Sequence, residues 1–246
     1  MSIKRHIPNF ITCLNLFFGC LAVVFALRGW LGFAVYMVIA AAIFDFCDGL
    51  AARLLKAYSL VGKELDSLAD LVSFGLAPAA MLHYEFCRIL SPKINYGLDS
   101  LPWELLSFFP FILVVAAALR LARFNVYASK NEHFIGLPTP ASALLVGSLL
   151  VYITQTPKLA PWFDTPYTIP VLVLLISGLM LSKLYLFSLK FKTLKWRGNQ
   201  IRFLFFVFVW LLIVLAWVMG WPWSLWMVGV ITGYMVFSLF SLRNLG

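Results

Sequence analysis

Charge is scarce in this chain, and its scarcity excludes a fold built for water. Only 12% of the 246 residues are Asp, Glu, Lys or Arg, against about 25% in an ordinary soluble domain. Cysteine is sparse too. Cys13, Cys20, Cys47 and Cys87 form no CxxC pair and match no His/Cys zinc spacing, so they read as small buried hydrophobes. His6, His83 and His133 stand isolated and are assigned no role. There is no internal repeat and no stretch that reads as a separate soluble domain.

What is present is apolar residue, 63% of the chain. Several runs reach the roughly 20 residues that cross a bilayer core as a helix. Lipid offers no partner for open backbone groups, so helices are the spanning element. The expected fold is all-α, a polytopic transmembrane bundle of eight spans near 9–27, 31–55, 62–87, 103–127, 138–156, 166–189, 201–219 and 222–242. Turn signals separate them at Arg28–Gly29, Ser91 to Pro102, Gly136–Pro140, Pro157–Pro166 and Trp221–Pro222. The first span follows Lys4 and Arg5 as a signal peptide would. It lacks a convincing small-residue cleavage site and reads as a retained helix.

The formal charge of +9 reads as topology rather than as a nucleic-acid surface, because basic residues collect in cytoplasmic loops. With both termini cytoplasmic, 15 of the 19 basic residues fall inside, and Arg28, Arg88, Lys93 and Lys158 fall outside. The densest basic loop, Lys190 to Arg202, reads as a topology signal lying against anionic headgroups. Trp30, Tyr84, Trp103, Trp162, Trp221 and Trp223 read as interfacial anchors.

Against this background, five of the ten acidic residues fall between positions 45 and 70: Asp45, Asp48, Glu64, Asp66 and Asp70. An Asp near a helix centre costs roughly 2.5–3.5 kcal/mol on the insertion scale. Close carboxylate pairs add about 4 kcal/mol of repulsion in a moderately polar site. Asp45 and Asp48 are three apart, and Asp66 and Asp70 four apart, so each pair shares a helix face. The short connection near Lys56 to Val61 makes the two helices antiparallel neighbours whose acidic faces meet near the cytoplasmic surface. Four converging carboxylates suit a hard divalent cation, Mg²⁺ or Mn²⁺. Gly49, Ala52 and Gly62 permit close approach of a helix or a ligand, and Arg53 could bind phosphate. A structural ion-pair cluster and a cation or proton pathway remain open on these residues alone.

In order, Asp45-x2-Asp48-Gly49-x2-Ala52-Arg53-x8-Gly62-x3-Asp66-x3-Asp70 resembles the signature of the CDP-alcohol phosphatidyltransferase family, with all eight fixed positions matched. The resemblance covers the first six spans, taken as a core over 1–190. Residues 191–246 add the basic cytoplasmic loop and a two-span hairpin. The resemblance implies a two-metal site held by Asp45, Asp48, Asp66 and Asp70, with Asp66 and Asp70 catalytic and Asp70 the general base. It implies that Asn9, Thr12, Asp48, Gly49, Ala52, Arg53 and Gly62 bind the CDP moiety. A homodimer in the bacterial cytoplasmic membrane, its active site facing the cytoplasm, is also implied.

Three further segments resemble the branch of the family that makes phosphatidylserine: Ser73-Phe74-Gly75-Leu76-Ala77-Pro78, Arg120-Leu121-Ala122-Arg123-Phe124-Asn125 and Gly136-Leu137-Pro138-Thr139-Pro140-Ala141. The implied partners are CDP-diacylglycerol and L-serine, within membrane lipid and without nucleic acid. Serine carries a carboxylate, which suits Arg, so Arg120, Arg123 and Asn125 are the candidate serine residues. For the two arginines the alternative is snorkelling to the headgroup layer. The histidines lack the His-Lys-Asp pattern of phospholipase-D-like synthases, so no phosphatidyl-enzyme intermediate is expected.

Overall fold

A computed structural model describes residues 6–93, 101–127, 134–186 and 200–243. Most of the basic segment from Lys190, together with Lys130 and His133, lies outside the described residues. Helices α1 (His6–Leu27) and α2 (Leu31–Leu54) form a tight antiparallel hairpin. Its turn closes as a Schellman motif, with Trp30 N–H donating to the Phe25 carbonyl and Gly29 N–H to that of Ala26, both at 2.9 Å. Gly29 supplies the left-handed residue at φ 77°, and a Cβ there would run into the Tyr84 hydroxyl.

A second Schellman turn ends α2, with Ala57 N–H on the Ala52 carbonyl at 3.0 Å and Lys56 N–H on that of Arg53 at 3.3 Å. Here a lysine, Lys56, takes the left-handed conformation at φ 49°. Ser59 then caps α3 (Leu60–Asp70), its hydroxyl accepting from Gly62 N–H at 2.9 Å. The acidic segment is therefore cut into two helices by turn chemistry at both ends of a five-residue link.

Beyond Asp70 the helix widens into a π-segment, Leu71–Leu76, before continuing as α4 (Ala77–Leu90). Pro78 explains the widening: it has no N–H to donate, and its ring clashes with the carbonyl four residues earlier. Ala77 N–H instead reaches the Val72 carbonyl, five residues back. The Ser73–Pro78 segment is thus a structural insert within one long span.

The chain continues through α5 (Leu101–Ser107), α6 (Ile112–Tyr127), α7 (Thr139–Gln155), α8 (Ala160–Phe163), α9 (Thr168–Leu181), α10 (Gln200–Met219) and α11 (Trp223–Arg243). The all-α expectation needs one small addition, a two-residue antiparallel bridge pairing Phe134–Ile135 with Tyr185–Leu186. Beside it Gly136 sits at φ 74°. Gly136 N–H bonds the Leu184 carbonyl at 2.8 Å, and Leu137 N–H bonds that of Leu179 at 3.1 Å. The Gly136–Ala141 segment therefore clasps the start of α7 to the end of α9.

Among the described residues, five helices are long and apolar enough to cross a membrane, or six if α7 and the bent segment after it form one span. Helix α9 and residues Trp223–Ser238 of α11 are apolar but shorter. The protein is a polytopic helical membrane protein. Its core joins the inner faces of α1, α2, the π-segment, α4, α6, α7 and α9, with Phe74, Phe86, Met81 and Leu82 fully enclosed. Helix α10 buries only Phe205, as suits an outer, lipid-facing helix. Cys13 and Cys20, expected inside, are exposed on α1, where lipid serves an apolar thiol as well as a core does.

Candidate active site

The buried face of α1 runs Pro8, Thr12, Asn15, Gly19, Ala22 and Ala26, a spacing of four and three that faces one direction. Both α2 and α3 pack against α1 more closely than against each other. The expected contact between the two acidic helices is therefore made by side chains reaching across a gap, with α1 as its floor. Asp45, Asp48 and Asp66 each bring a carboxylate oxygen to within 4.8 Å of the others. Asp45 and Asp66 lie within hydrogen-bonding reach, and the Thr12 side chain faces Asp48.

Asp70 stands one turn deeper on α3, 9% exposed. Its Oδ1 accepts from Nδ2 of Asn15 at 3.2 Å. The backbone carbonyl of Asn15 in turn accepts from the Ser73 hydroxyl at 3.0 Å. Gly19 makes this crossing possible, since a Cβ there would collide with Ser73. Of the four aspartates expected to hold cations, three converge tightly and the fourth is held beside them by Asn15.

Charge balance separates this cluster from another buried carboxylate. Glu85, 3% exposed, is neutralised by Arg88, whose Nε and Nη2 donate to it at 3.0 and 2.7 Å. Arg88 also pairs with Asp164. Among the described residues, no Lys or Arg makes a salt bridge with Asp45, Asp48, Asp66 or Asp70. Asp48 Oδ2 and Asp66 Oδ1 are buried without a hydrogen-bond partner. Unpaired buried carboxylate oxygens are costly, and a hard cation with oxygen ligands satisfies them. The residues present fit a divalent metal.

The expected nucleotide-binding residues surround this gap. A Cβ on Gly49 would meet nothing within 4 Å, so its face of α2 is open. Gly62 differs: a Cβ would fall 2.8 Å from Asn9 Oδ1 and 2.9 Å from Ser59 Oγ, so it packs against α1 and brings Asn9 to the rim. Thr12 is buried and donates to the Pro8 carbonyl at 3.0 Å. Ala52 is half-buried on α2. Arg53 is exposed, its Nε donating to the Gly49 carbonyl at 2.9 Å, which folds the side chain back along the open face.

The three candidate serine residues separate. Arg120 is 8% exposed, within electrostatic reach of Asp70 and of Tyr234 on α11. Its Nη1 donates to Thr139 Oγ1 at 3.4 Å, and its Nε is buried without a partner. Arg123 is exposed and forms no salt bridge with the four aspartates. Asn125 braces α6 on α3, with Nδ2 donating to Ser67 Oγ at 2.8 Å and its backbone carbonyl accepting from Lys63 Nζ at 3.0 Å. Asn15 was absent from the expected set. Its sequence signal was its place on the Pro8–Thr12–Gly19 stripe, where a buried amide is expensive in a membrane helix.

Apolar spanning helices thus enclose a carboxylate cluster suited to a divalent cation, with an open glycine face beside it. A CDP-alcohol phosphatidyltransferase model matches residues 5–181, the part of the chain that holds every one of these groups. The chain belongs to the CDP-alcohol phosphatidyltransferase family. Among its relatives, the CDP-diacylglycerol–serine O-phosphatidyltransferase of Mycobacterium tuberculosis is 34% identical over 192 residues, covering 74% of this chain and 63% of that protein. The enzyme of the same name from Bacillus subtilis is 38% identical over 152 residues, covering 62% of this chain and 77% of that protein. The one from Saccharomyces cerevisiae is 38% identical over 162 residues, covering 59% and 54%. The chain thus spans somewhat under two thirds of the length of its mycobacterial relatives.

Proposed function

We propose that this protein transfers the phosphatidyl group of CDP-diacylglycerol to the hydroxyl of L-serine and releases CMP. The observation that carries the reading is the set of unneutralised carboxylate oxygens on Asp45, Asp48 and Asp66, with Asp70 and Arg120 buried beside them. The names borne by its relatives support serine as the acceptor.

Asp45, Asp48, Asp66 and Asp70 would hold Mg²⁺ or Mn²⁺, two ions in the fullest form of the site. Such ions would neutralise charge on the diphosphate and on departing CMP. The open face at Gly49 and Ala52 receives the cytidine diphosphate, with Arg53, Asn9, Thr12 and Gly62 at its edge. Asp70, oriented by Asn15, accepts the proton of the serine hydroxyl as that oxygen attacks phosphorus. Arg120 binds the serine carboxylate, with Arg123 and Asn125 toward the cytoplasmic rim. Transfer is a single in-line displacement without a phosphatidyl-enzyme intermediate.

In this reading the chain has eight membrane helices with both termini cytoplasmic. The six-span core covers 1–190, and the two-span hairpin of 191–246 packs against it through α11. The protein works as a homodimer in the bacterial cytoplasmic membrane, with its site open to the cytoplasm. The test is CMP release by the purified protein from CDP-diacylglycerol with Mg²⁺ or Mn²⁺ and a panel of alcohols. Serine-dependent release is expected. Release with glycerol 3-phosphate but not serine would move the acceptor to another branch of the family. Ion flux across liposomes without any CMP would replace the enzyme by a transporter.

A further inference from the structure

Two buried polar atoms of opposite sense flank Asp70 with nothing to pair with. Arg120 Nε is a donor without an acceptor, and Asn15 Oδ1 is an acceptor without a donor. Asn15 is fully enclosed at 0% exposure, and its Nδ2 is committed to Asp70. An ionised carboxylate only accepts, so the amide must turn its NH₂ to Asp70 and its oxygen away. Buried unpaired atoms of this kind are uncommon in folded proteins and call for a partner.

We infer that Asn15 is a specificity residue for the acceptor, its Oδ1 receiving the acceptor's ammonium while Asp70 takes the hydroxyl and Arg120 the carboxylate. This rests on the serine reading above and deepens it. The three groups of an α-amino-β-hydroxy acid then meet one neutral acceptor, one anionic acceptor and one cationic donor. A neutral amide suits the ammonium better here than a fifth carboxylate would. Another negative charge beside Asp70 would add repulsion and compete for the cation. The amide also couples recognition to chemistry, since the side chain that reads the ammonium is the one that orients Asp70.

The test uses the protein in detergent with CDP-diacylglycerol and Mn²⁺, reading incorporation of labelled serine into lipid beside CMP release. The wild type, Asn15→Leu and Asn15→Asp are compared for serine KM and kcat. Inhibition by 3-hydroxypropanoate, which has the hydroxyl and carboxylate but no ammonium, is measured alongside. Asn15→Leu should raise the serine KM at least tenfold and leave the inhibition constant of 3-hydroxypropanoate within twofold. Asn15→Asp keeps an acceptor but loses the donor to Asp70, so the serine KM should stay within threefold while kcat falls. An equal rise of KM and inhibition constant in Asn15→Leu would overturn the inference, as would an unchanged KM. If Asn15→Leu does not fold, a tenfold rise of serine KM in Asn15→Asp overturns it equally. A wild type that releases no CMP with serine removes the acceptor reading itself, a result distinct from an unshifted variant of a serine-using enzyme.

Discussion

Asn15 and Asp70 are joined across the interface of α1 and α3, with Nδ2 of Asn15 donating to Oδ1 of Asp70 at 3.2 Å. Ser73, in the first turn of the π-segment, holds the same asparagine by its backbone at 3.0 Å. The carboxylate is thus fixed by a helix that carries no acid of its own, just where the third span departs from α-geometry. Widened turns inside long helices recur at functional sites, and here the widening brings Ser73 onto α1.

Replacing Asp70 by Asn keeps the volume of the side chain and removes its charge. Turnover should fall by about 10²- to 10⁴-fold, the usual share of a positioned base. The variant should elute as the wild type does and melt within a few degrees of it. CMP release per folded protein, read beside a melting curve, checks this. Retained turnover removes Asp70 from proton transfer.

Cation binding should also register without catalysis. Asp45, Asp48 and Asp66 repel one another in the empty site, so Mn²⁺ should raise the melting temperature of the protein in the absence of any substrate. At 100-fold excess over Kd the gain is about 2.7 kcal/mol. Asp45→Asn and Asp48→Asn should each abolish most of that gain, and chelation should remove both the gain and CMP release. A melting temperature indifferent to Mn²⁺ would leave the cluster without its cation.

These results would test what the sequence made legible, which was the chemistry more than the geometry. The helical spacing of Asp45, Asp48, Asp66 and Asp70 placed each pair on one face, because period and charge are local properties. The burial of Arg120 against the exposure of Arg123 was not readable, since residues three apart share a helix face and what separates these two is depth, Arg123 lying one turn nearer the end of α6. Asn15 escaped notice because its place on the Pro8–Thr12–Gly19 stripe marks it as buried without naming a partner. Its meaning depends on Asp70, 55 positions away. The Ser73–Pro78 and Gly136–Ala141 segments were visible as patterns, yet their roles as a π-insert and a clasp rest on backbone hydrogen bonds that composition does not encode.

Removing the Arg88 side chain should damage stability rather than chemistry. Glu85 is buried and Arg88 supplies both of its charge-assisted hydrogen bonds, so Arg88→Ala leaves an unpaired carboxylate. Because Arg88 is half-exposed, water recovers part of the loss, and about 1–3 kcal/mol is expected. Adding Glu85→Gln should return part of it by removing the stranded charge. Melting curves of the single and double variants check the order, while serine and lipid KM values stay at wild-type levels.

The two motif glycines should part company when each is changed to alanine, although the signature treats them alike. A methyl group on Gly49 meets nothing within 4 Å, and within a helix alanine gains roughly 0.5–1 kcal/mol over glycine. Gly49→Ala should therefore fold at least as well as the wild type. Any cost should fall on the ligand that enters the open face, as a several-fold rise in the KM for CDP-diacylglycerol with serine KM unchanged. At Gly62 the same methyl would lie 2.8 Å from Asn9 Oδ1 and 2.9 Å from the Ser59 oxygen that caps α3. Gly62→Ala must turn aside the Asn9 amide and the Ser59 hydroxyl, which disturbs the cap, and loss of a cap costs about 1 kcal/mol. Since α3 carries Asp66 and Asp70, loosening its first turn should lower the melting temperature and kcat together. Measuring both parameters on both variants distinguishes a glycine kept open for a ligand from one kept small for a helix. Equal behaviour of the two would mean that Gly49 faces no substrate.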